Sequence, residues 1–344
     1  MNKLIDWQKI EADLRKYYTK GASVAGRPSY NGLLLFKMAL LQTWYGMSDY
    51  EIEEKANDSL SFMQFLGLTL EDDVPDHSVL SRFRTTLTLK KGYDKLMDSI
   101  NTQLEEKGIL LRQGTIIDAS ITDSPRKPRG KKEYELYNAV EDRQKLENLP
   151  DTNSVDTNSI DTSTAKTTGI ANEKIQSHVD TEAAWIKKSG KLRYGYKKHM
   201  ATDDQGLITA IITTPANESD IVHLEDVVTK ANVQKGTRVR ADKGYSSASN
   251  RDFLKKNKIK DGIMYKAQKN NPLNTHRQKF NKIVSQVRFR IERTFGSIKR
   301  WFKSTMARYV GQAKTHTQHI MEAIAYNLYR SPGIVVSNAS KIAN

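Results

Sequence analysis

The stretch GTIIDASITDS, residues 114–124, divides the chain into two kinds of pattern. It is β-branched and apolar around two carboxylates, Asp118 in its middle and Asp123 near its end, and reads as a strand. Everything before it reads as helix. YNGLLLFKMALLQTWYG places Leu33, Leu34, Lys37, Leu40 and Leu41 at helical spacing, and Gly46 stops the run. Ser48 and Glu51 then stand in capping-box positions ahead of a helix carrying Ile52. SLSFMQFLG is closed by Gly67. PDHSVLSRFRTTL starts with Pro75 and a potential cap at Asp76, and projects Arg82 and Arg84. YDKLMDSINTQLEEKG ends at Gly108. Residues 1–110 are therefore expected to form an all-helical domain, either of helix-turn-helix type or a plain bundle.

After Gly108 the pattern is mixed. KLRYGYKKHMATDD and GLITAIITTPA are two strand-like runs joined by DDQG, a hairpin turn with Gly206. SDIVHLEDVVTKA reads as a helix with Ser219 at its cap, GTRVRADKGYS as a strand ending in a glycine turn, SASNRDFLKKN as a helix and DGIMYKA as a strand. A long basic helix is expected over residues 277–302. The order is βββαβαβα, an α/β core over residues 111–310 whose sheet is largely buried, followed by a C-terminal helix and tail at 311–344.

One segment interrupts this order. Residues 124–180 begin with a basic, Pro/Gly-rich lead, pass a run at 135–149 (ELYNAVEDRQKLENL) with helical character, and continue as DTNSVDTNSIDTSTAKTTG. Such polar low complexity buries too little apolar area to offset its ordering entropy, so an inserted arm or loop is expected.

The 344 residues carry a formal charge of +15, and residues 251–314 alone hold 18 Lys and Arg against 3 acids. The rest of the chain is neutral. A basic region beside neutral ones is the footprint of a phosphate-backbone binder. The chain has no cysteine, which excludes disulfides, thiolate metal sites and cysteine nucleophiles. No apolar run is long enough to span a bilayer, and MNKLIDWQKI lacks the apolar region of a signal peptide, so the cytoplasm is expected.

Three acids stand out. Asp118 is expected at the end of an apolar strand, Asp242 at the end of RVRAD before a glycine turn, and Glu292 within the last helix. Strand ends face the crevice where α/β sheets place ligands. A carboxylate trio offers hard oxygen donors, suited to Mg²⁺ or Mn²⁺. Two such ions stabilise the attacking and leaving oxygens of a phosphodiester being cut. At about 100° per residue, Arg288, Glu292 and Lys299 fall on one helix face. Glu292 is then either a metal ligand flanked by phosphate-binding Arg288 and Lys299, or the partner of an ordinary i,i+4 ion pair. Arg293, Arg300, Lys198, His199 and Lys243 are further candidates for DNA contact, with Arg82 and Arg84 in the helical region. His199 reads equally well as a core histidine, and Arg82 and Arg84 as solvated surface. Trp301 reads as core ahead of a base-stacking side chain. Asp123 and Asp203 are minor competitors for a metal role.

These blocks resemble the DDE transposases of bacterial insertion sequences, and within them the group often called the IS-five family. R-(3)-E-(6)-K of the family signature is matched by Arg288, Glu292 and Lys299, with Ser285 where the signature has Tyr. IERTFG, IIDAS, RADKGY, YGYKKHMATD, TPANESD and PDHSVLSRFR each resemble a family block. The resemblance implies an RNase H-like catalytic core with Asp118, Asp242 and Glu292 as ligands of two Mg²⁺ ions, Mn²⁺ being a possible substitute. It further implies double-stranded DNA partners (terminal inverted repeats and target), hydrolysis at the transposon ends followed by strand transfer, at least a homodimer in the active complex, and a nucleoid-associated protein.

Overall fold

A computed structural model describes residues 4–19, 29–128, 134–136, 171–173, 178–188, 190–267 and 272–342. It divides into two units, Met1–Pro125 with Glu182–Asn344, and Arg126–Thr181.

The first unit opens with helices whose ends are written locally. Asp6 caps α1 (Trp7–Tyr17), and Asn31 caps α2 (Gly32–Tyr45), which stops at Gly46 with φ 63°. That left-handed conformation suits glycine, which has no Cβ to clash. Ser48 and Glu51 form the expected capping box on α3 (Asp49–Asp58). α4 (Leu60–Leu66) stops at Gly67, Asp76 caps α5 (His77–Leu89), and α6 (Gly92–Glu106) follows. α2 is buried all round rather than along one stripe: Leu35, Phe36, Met38 and Leu40 are inaccessible. Lys37 escapes by laying its ammonium over the rings of Trp7 and Phe65, 5.1 and 5.5 Å away.

The sheet is built around β1 (Thr115–Asp123). Two short strands, β2 (Tyr134–Leu136) and β3 (Ala171–Glu173), pair antiparallel within the second unit. Most of the low-complexity insertion lies outside the described residues, and of the run at 135–149 only 135–136 are described, in strand β2 and not in a helix. β4 (Ala184–Lys188) forms a hairpin with β5 (Lys191–Thr202), and β6 (Ile208–Pro215) returns along β5. Gly206, at φ 83°, makes the turn between β5 and β6. β1 pairs antiparallel with β5 and parallel with β7 (Arg238–Ala241), which pairs parallel with β8 (Lys260–Ile263). The path β6-β5-β1-β7-β8, with three antiparallel strands followed by two parallel ones, is the RNase H-like arrangement. The expected order is present, with β4 as an added strand. The helix expected after β6 starts as a single 3₁₀ turn, Asp220–His223, before α7 (Leu224–Lys230), and Ser219 makes no side-chain cap bond. α8 (Ala248–Lys256), capped by Ser247, connects β7 to β8.

Two long helices finish the unit, α9 (Thr275–Trp301) and α10 (Gln312–Ile342). Val284, Ile291, Phe295 and Ile298 of α9 are buried. α10 joins the helical region to the sheet. Trp44 donates to the Ala325 carbonyl at 2.8 Å, while Asn327 donates to Asn101 Oδ1 at 2.9 Å and accepts from the Ile208 N–H at 2.8 Å. One continuous apolar cluster includes Phe36, Leu80 and Ile100 from the early helices, Ile116 and Ile208 from the sheet, and Ile291 and Ile324 from the late ones.

Candidate active site

Register brings the first two acids together. Ile117 of β1 lies opposite Ala241 of β7 in the parallel pair, so the next residues, Asp118 and Asp242, stand side by side. Asp242 is at the strand end as expected, capping the 3₁₀ turn Lys243–Tyr245 with its Oδ1 on the Lys243 N–H at 2.7 Å. Asp118 is not at a strand end: β1 runs on to Asp123 because β5 pairs with it along that whole length. Asp118 therefore sits mid-strand, where β7 has already ended.

Glu292 comes from α9, with its side chain 61% exposed. One turn earlier Arg288 reaches inward. Its Nη2 donates to Asp118 Oδ2 at 2.7 Å, its Nη1 stands 3.5 Å from Asp242 Oδ1, and Nη2 stands 3.9 Å from Glu292 Oε1. All three acids thus surround one guanidinium. Burial raises the Asp118 carboxyl above its ordinary range, and Arg288 works against that rise. Burial also opposes charge on Arg288, but Asp118 and Asp242 more than offset it and hold the guanidinium firmly protonated.

The helix that carries Arg288 and Glu292 is anchored at several points. Asn281 accepts from the Tyr265 N–H and donates to the Tyr265 carbonyl, at 2.8 and 2.9 Å. Thr294 is fully buried and donates to the Gly206 carbonyl at 2.9 Å, in the β5–β6 turn. Asp204 of the same turn takes Arg290 and Arg240, each at 3.1 Å. Sequence reasoning does not single out these anchors. Thr294 lies inside IERTFG, and that block is the one signal that points to it.

Family models match the chain over most of its length. Residues 109–328 match the Transposase DDE domain, and residues 1–86 match a Transposase domain, DUF772. The chain belongs to the DDE transposase family. A curated relative, the transposase for insertion sequence element IS1106 from Neisseria meningitidis serogroup B, is 32% identical over 261 residues, covering 75% of this chain and 80% of its own length. Among solved structures, a piggyBac transposase synaptic complex with hairpin DNA covers 98% of this chain and 74% of its own, at TM-score 0.44 and 8% identity. A pre-cleavage Mos1 transpososome covers 90% and 81%, at TM-score 0.23 and 11% identity.

In this transposase the basic candidates divide by burial. Arg82, Lys243, Arg293 and Arg300 are exposed, and Lys299 is half-buried. Burial lowers the Lys299 ammonium, and the neighbouring cations Arg193, Lys198 and Lys188 lower it further. Three others face inward, which corrects the expectation that they touch DNA. Arg84 is buried, donates to Asp49 at 2.7 Å and stacks on Tyr309. Lys198 pairs with Glu322 of α10 at 2.5 Å, both fully enclosed. His199 is inaccessible between Tyr245 and Thr214, and burial brings its imidazole down to about 3. Arg288, also expected on phosphate, is engaged by the acids instead. Asp123 is taken by Arg193 at 2.7 Å. Asp203 is buried under the N–H groups of Leu111, Gln205 and Leu207, its carboxyl raised by burial to about 6. Trp301, expected in the core, is 38% exposed and stacks on Tyr326.

DDE transposases work with divalent metal ions, and the acids here fit one in kind. They offer hard oxygens, and a cation, the guanidinium, already stands where they meet. They are gathered around that guanidinium rather than around a shared point: among the described residues no three acidic or histidine side chains stand close enough to hold a metal ion as placed. No described helix is long and apolar enough to cross a membrane.

Proposed function

We propose that this chain is the transposase of an insertion sequence, which cuts double-stranded DNA at terminal inverted repeats and joins the freed ends to target DNA. The reading rests on one observation above all. Asp118 in one strand, Asp242 at the end of the adjacent strand and Glu292 on the helix over them gather around a single guanidinium, which supports reading them as the acid set. Asp118, Asp242 and Glu292 would hold two Mg²⁺ ions, with Mn²⁺ as substitute, in the cytoplasm and at the nucleoid. Bound there, the ions stabilise charge on the attacking and leaving oxygens of the phosphodiester.

The chain's own groups supply the rest. Asp118, oriented by the Ala119 N–H, and Asp242, oriented by the Lys243 N–H, would present fixed oxygens to a metal ion. Glu292, on α9, is the most exposed of the three acids. Exposed Arg293, Arg300 and Lys243, with half-buried Lys299, line the backbone near the cut. Residues 1–110, with Arg82 exposed, would bind the repeats, and residues 111–310, apart from the insertion at about 124–180, would carry the chemistry. Water opens the strand and leaves a 3′-hydroxyl, which attacks the target phosphodiester. Because two ends are joined, the active complex is at least a homodimer.

The test uses DNA carrying the inverted repeats from the gene's own flanks. Each of Asp118→Asn, Asp242→Asn and Glu292→Gln is expected to lower magnesium-dependent cleavage by roughly three orders of magnitude, since each removes several kcal/mol of charge stabilisation. Repeat binding in a gel-shift assay should survive in all three. Cleavage retained in Glu292→Gln would remove Glu292 from the site.

A further inference from the structure

Arg288 does more in this structure than precede Glu292 by one helical turn. Both oxygens of Asp118 are already engaged: Oδ2 accepts from Arg288 Nη2 at 2.7 Å, and Oδ1 accepts from the Ala119 N–H at 2.8 Å. Asp242 is in a similar position, since its Oδ1 accepts from the Lys243 N–H at 2.7 Å and faces Arg288 Nη1 at 3.5 Å. The Arg288 side chain is only 10% exposed, and its Nε is buried without a hydrogen-bond partner among the described residues. An i,i+4 pair with an exposed Glu292 does not account for burying a guanidinium this way, because such pairs contribute only about 0.2–0.5 kcal/mol. The two sheet carboxylates hold it there.

We propose that Arg288 is an internal cation seated in the carboxylate set, competing with a divalent ion for Asp118 and Asp242. The inference rests on the reading that these acids hold metal. A divalent ion that takes Asp118 Oδ2 meets the guanidinium in hydrogen-bond contact with the same oxygen. In a half-buried site that repulsion is little screened. Metal loading therefore moves Arg288 away from Asp118. The guanidinium it frees carries a planar fork of donors suited to phosphate, beside the place where a strand would be cut. Arg288 is in this sense a positioning residue that acts through the acids.

The competition can be measured without turnover, by titrating the full chain with Mn²⁺ and following free Mn²⁺ by electron paramagnetic resonance. Arg288→Gln, which keeps a hydrogen-bond donor and loses the charge, is expected to bind Mn²⁺ about tenfold or more tightly than wild type, because a like charge beside the ion is gone. Asp118→Asn is expected to bind it more weakly than wild type. A purely structural arginine gives the opposite sign for Arg288→Gln, since loosened acids hold metal less well. Equal or weaker binding in Arg288→Gln, with Asp118→Asn still weakened, overturns the competition and leaves the metal reading standing. Wild type that binds no better than Asp118→Asn overturns both. Should Arg288→Gln fail to fold, a crystal structure of wild type grown with Mn²⁺ decides the matter. Arg288 Nη2 moved off Asp118 Oδ2 supports the competition, and Nη2 retained at hydrogen-bond distance overturns it.

Discussion

Lys198 and Glu322 show how a charge in a basic protein is spent inside it. The pair is 3% and 4% exposed at the side chains, with Ser304 and Gln318 completing its hydrogen bonds. Burying two ions is costly, and removing one partner leaves the other uncompensated. Glu322→Gln is therefore expected to lose about 3–5 kcal/mol in urea unfolding, whereas Lys198→Met with Glu322→Leu recovers most of that loss. A Glu322→Gln loss under about 1 kcal/mol would mean the pair is open to water. In the sequence, Lys198 reads as a DNA contact because YGYKKHMATD is basic. Nothing local reveals Glu322, 124 residues further on. The same blindness applies to Arg84, whose partner Asp49 is 35 residues away, and to Arg288, whose partner Asp118 is 170 residues away. Residue type marks these positions as polar, but only the fold decides which way they face. Asp118 and Asp242 are legible for a different reason: each follows a strand-like run, TII before Asp118 and RVRA before Asp242, and the two strands pair in register.

Helix α9 shows what periodicity delivers. Val284, Ile291, Phe295 and Ile298 are buried at helical spacing, and the expected helix over 277–302 is present at Thr275–Trp301. Arg288, Glu292 and Lys299 do share a face, but that face lies along the border of helix and sheet. Arg288 is sunk into it, Lys299 is half-buried, and Glu292 stands 61% exposed. Angular position on a helix does not tell depth, because depth depends on the sheet beneath it. With Arg288 held by the acids, the proposed phosphate contacts of the metal-free chain are the outward residues. Arg293→Gln and Arg300→Gln are each expected to reduce the slope of log K against log salt for repeat DNA by about 0.9 for each phosphate no longer neutralised, while folded Lys198→Met leaves it unchanged. A slope altered by Lys198→Met and not by Arg300→Gln would reverse this assignment. β1 gives the complementary lesson. The apolar run is visible in the sequence, but its continuation to Asp123 depends on pairing with β5, which lies across the insertion.

At the scale of the molecule, the β5–β6 turn and the alternation of strands with helices are legible, since each is written in short runs and Gly206 marks the turn. The sheet order follows from them, as parallel crossovers through α7 and α8 place β7 beside β1 and β8 beside β7. What is not legible is the reach of α10, a helix whose polar groups Asn327 and Gln318 are satisfied by the early helices, the sheet and the loop before it. It makes the early helices and the sheet share one core. The insertion is known by its composition, and most of it lies outside the described residues. The central claim is that Asp118, Asp242 and Glu292 together hold the metal. It is tested most directly by loading the chain with Fe²⁺ in place of Mg²⁺ and letting ascorbate and peroxide generate hydroxyl radicals at the bound ion. Backbone cuts clustered near residues 118, 242 and 292, suppressed by excess Mg²⁺, are the expected result. Cuts absent from any one of the three segments, or a pattern that Mg²⁺ does not suppress, would contradict it.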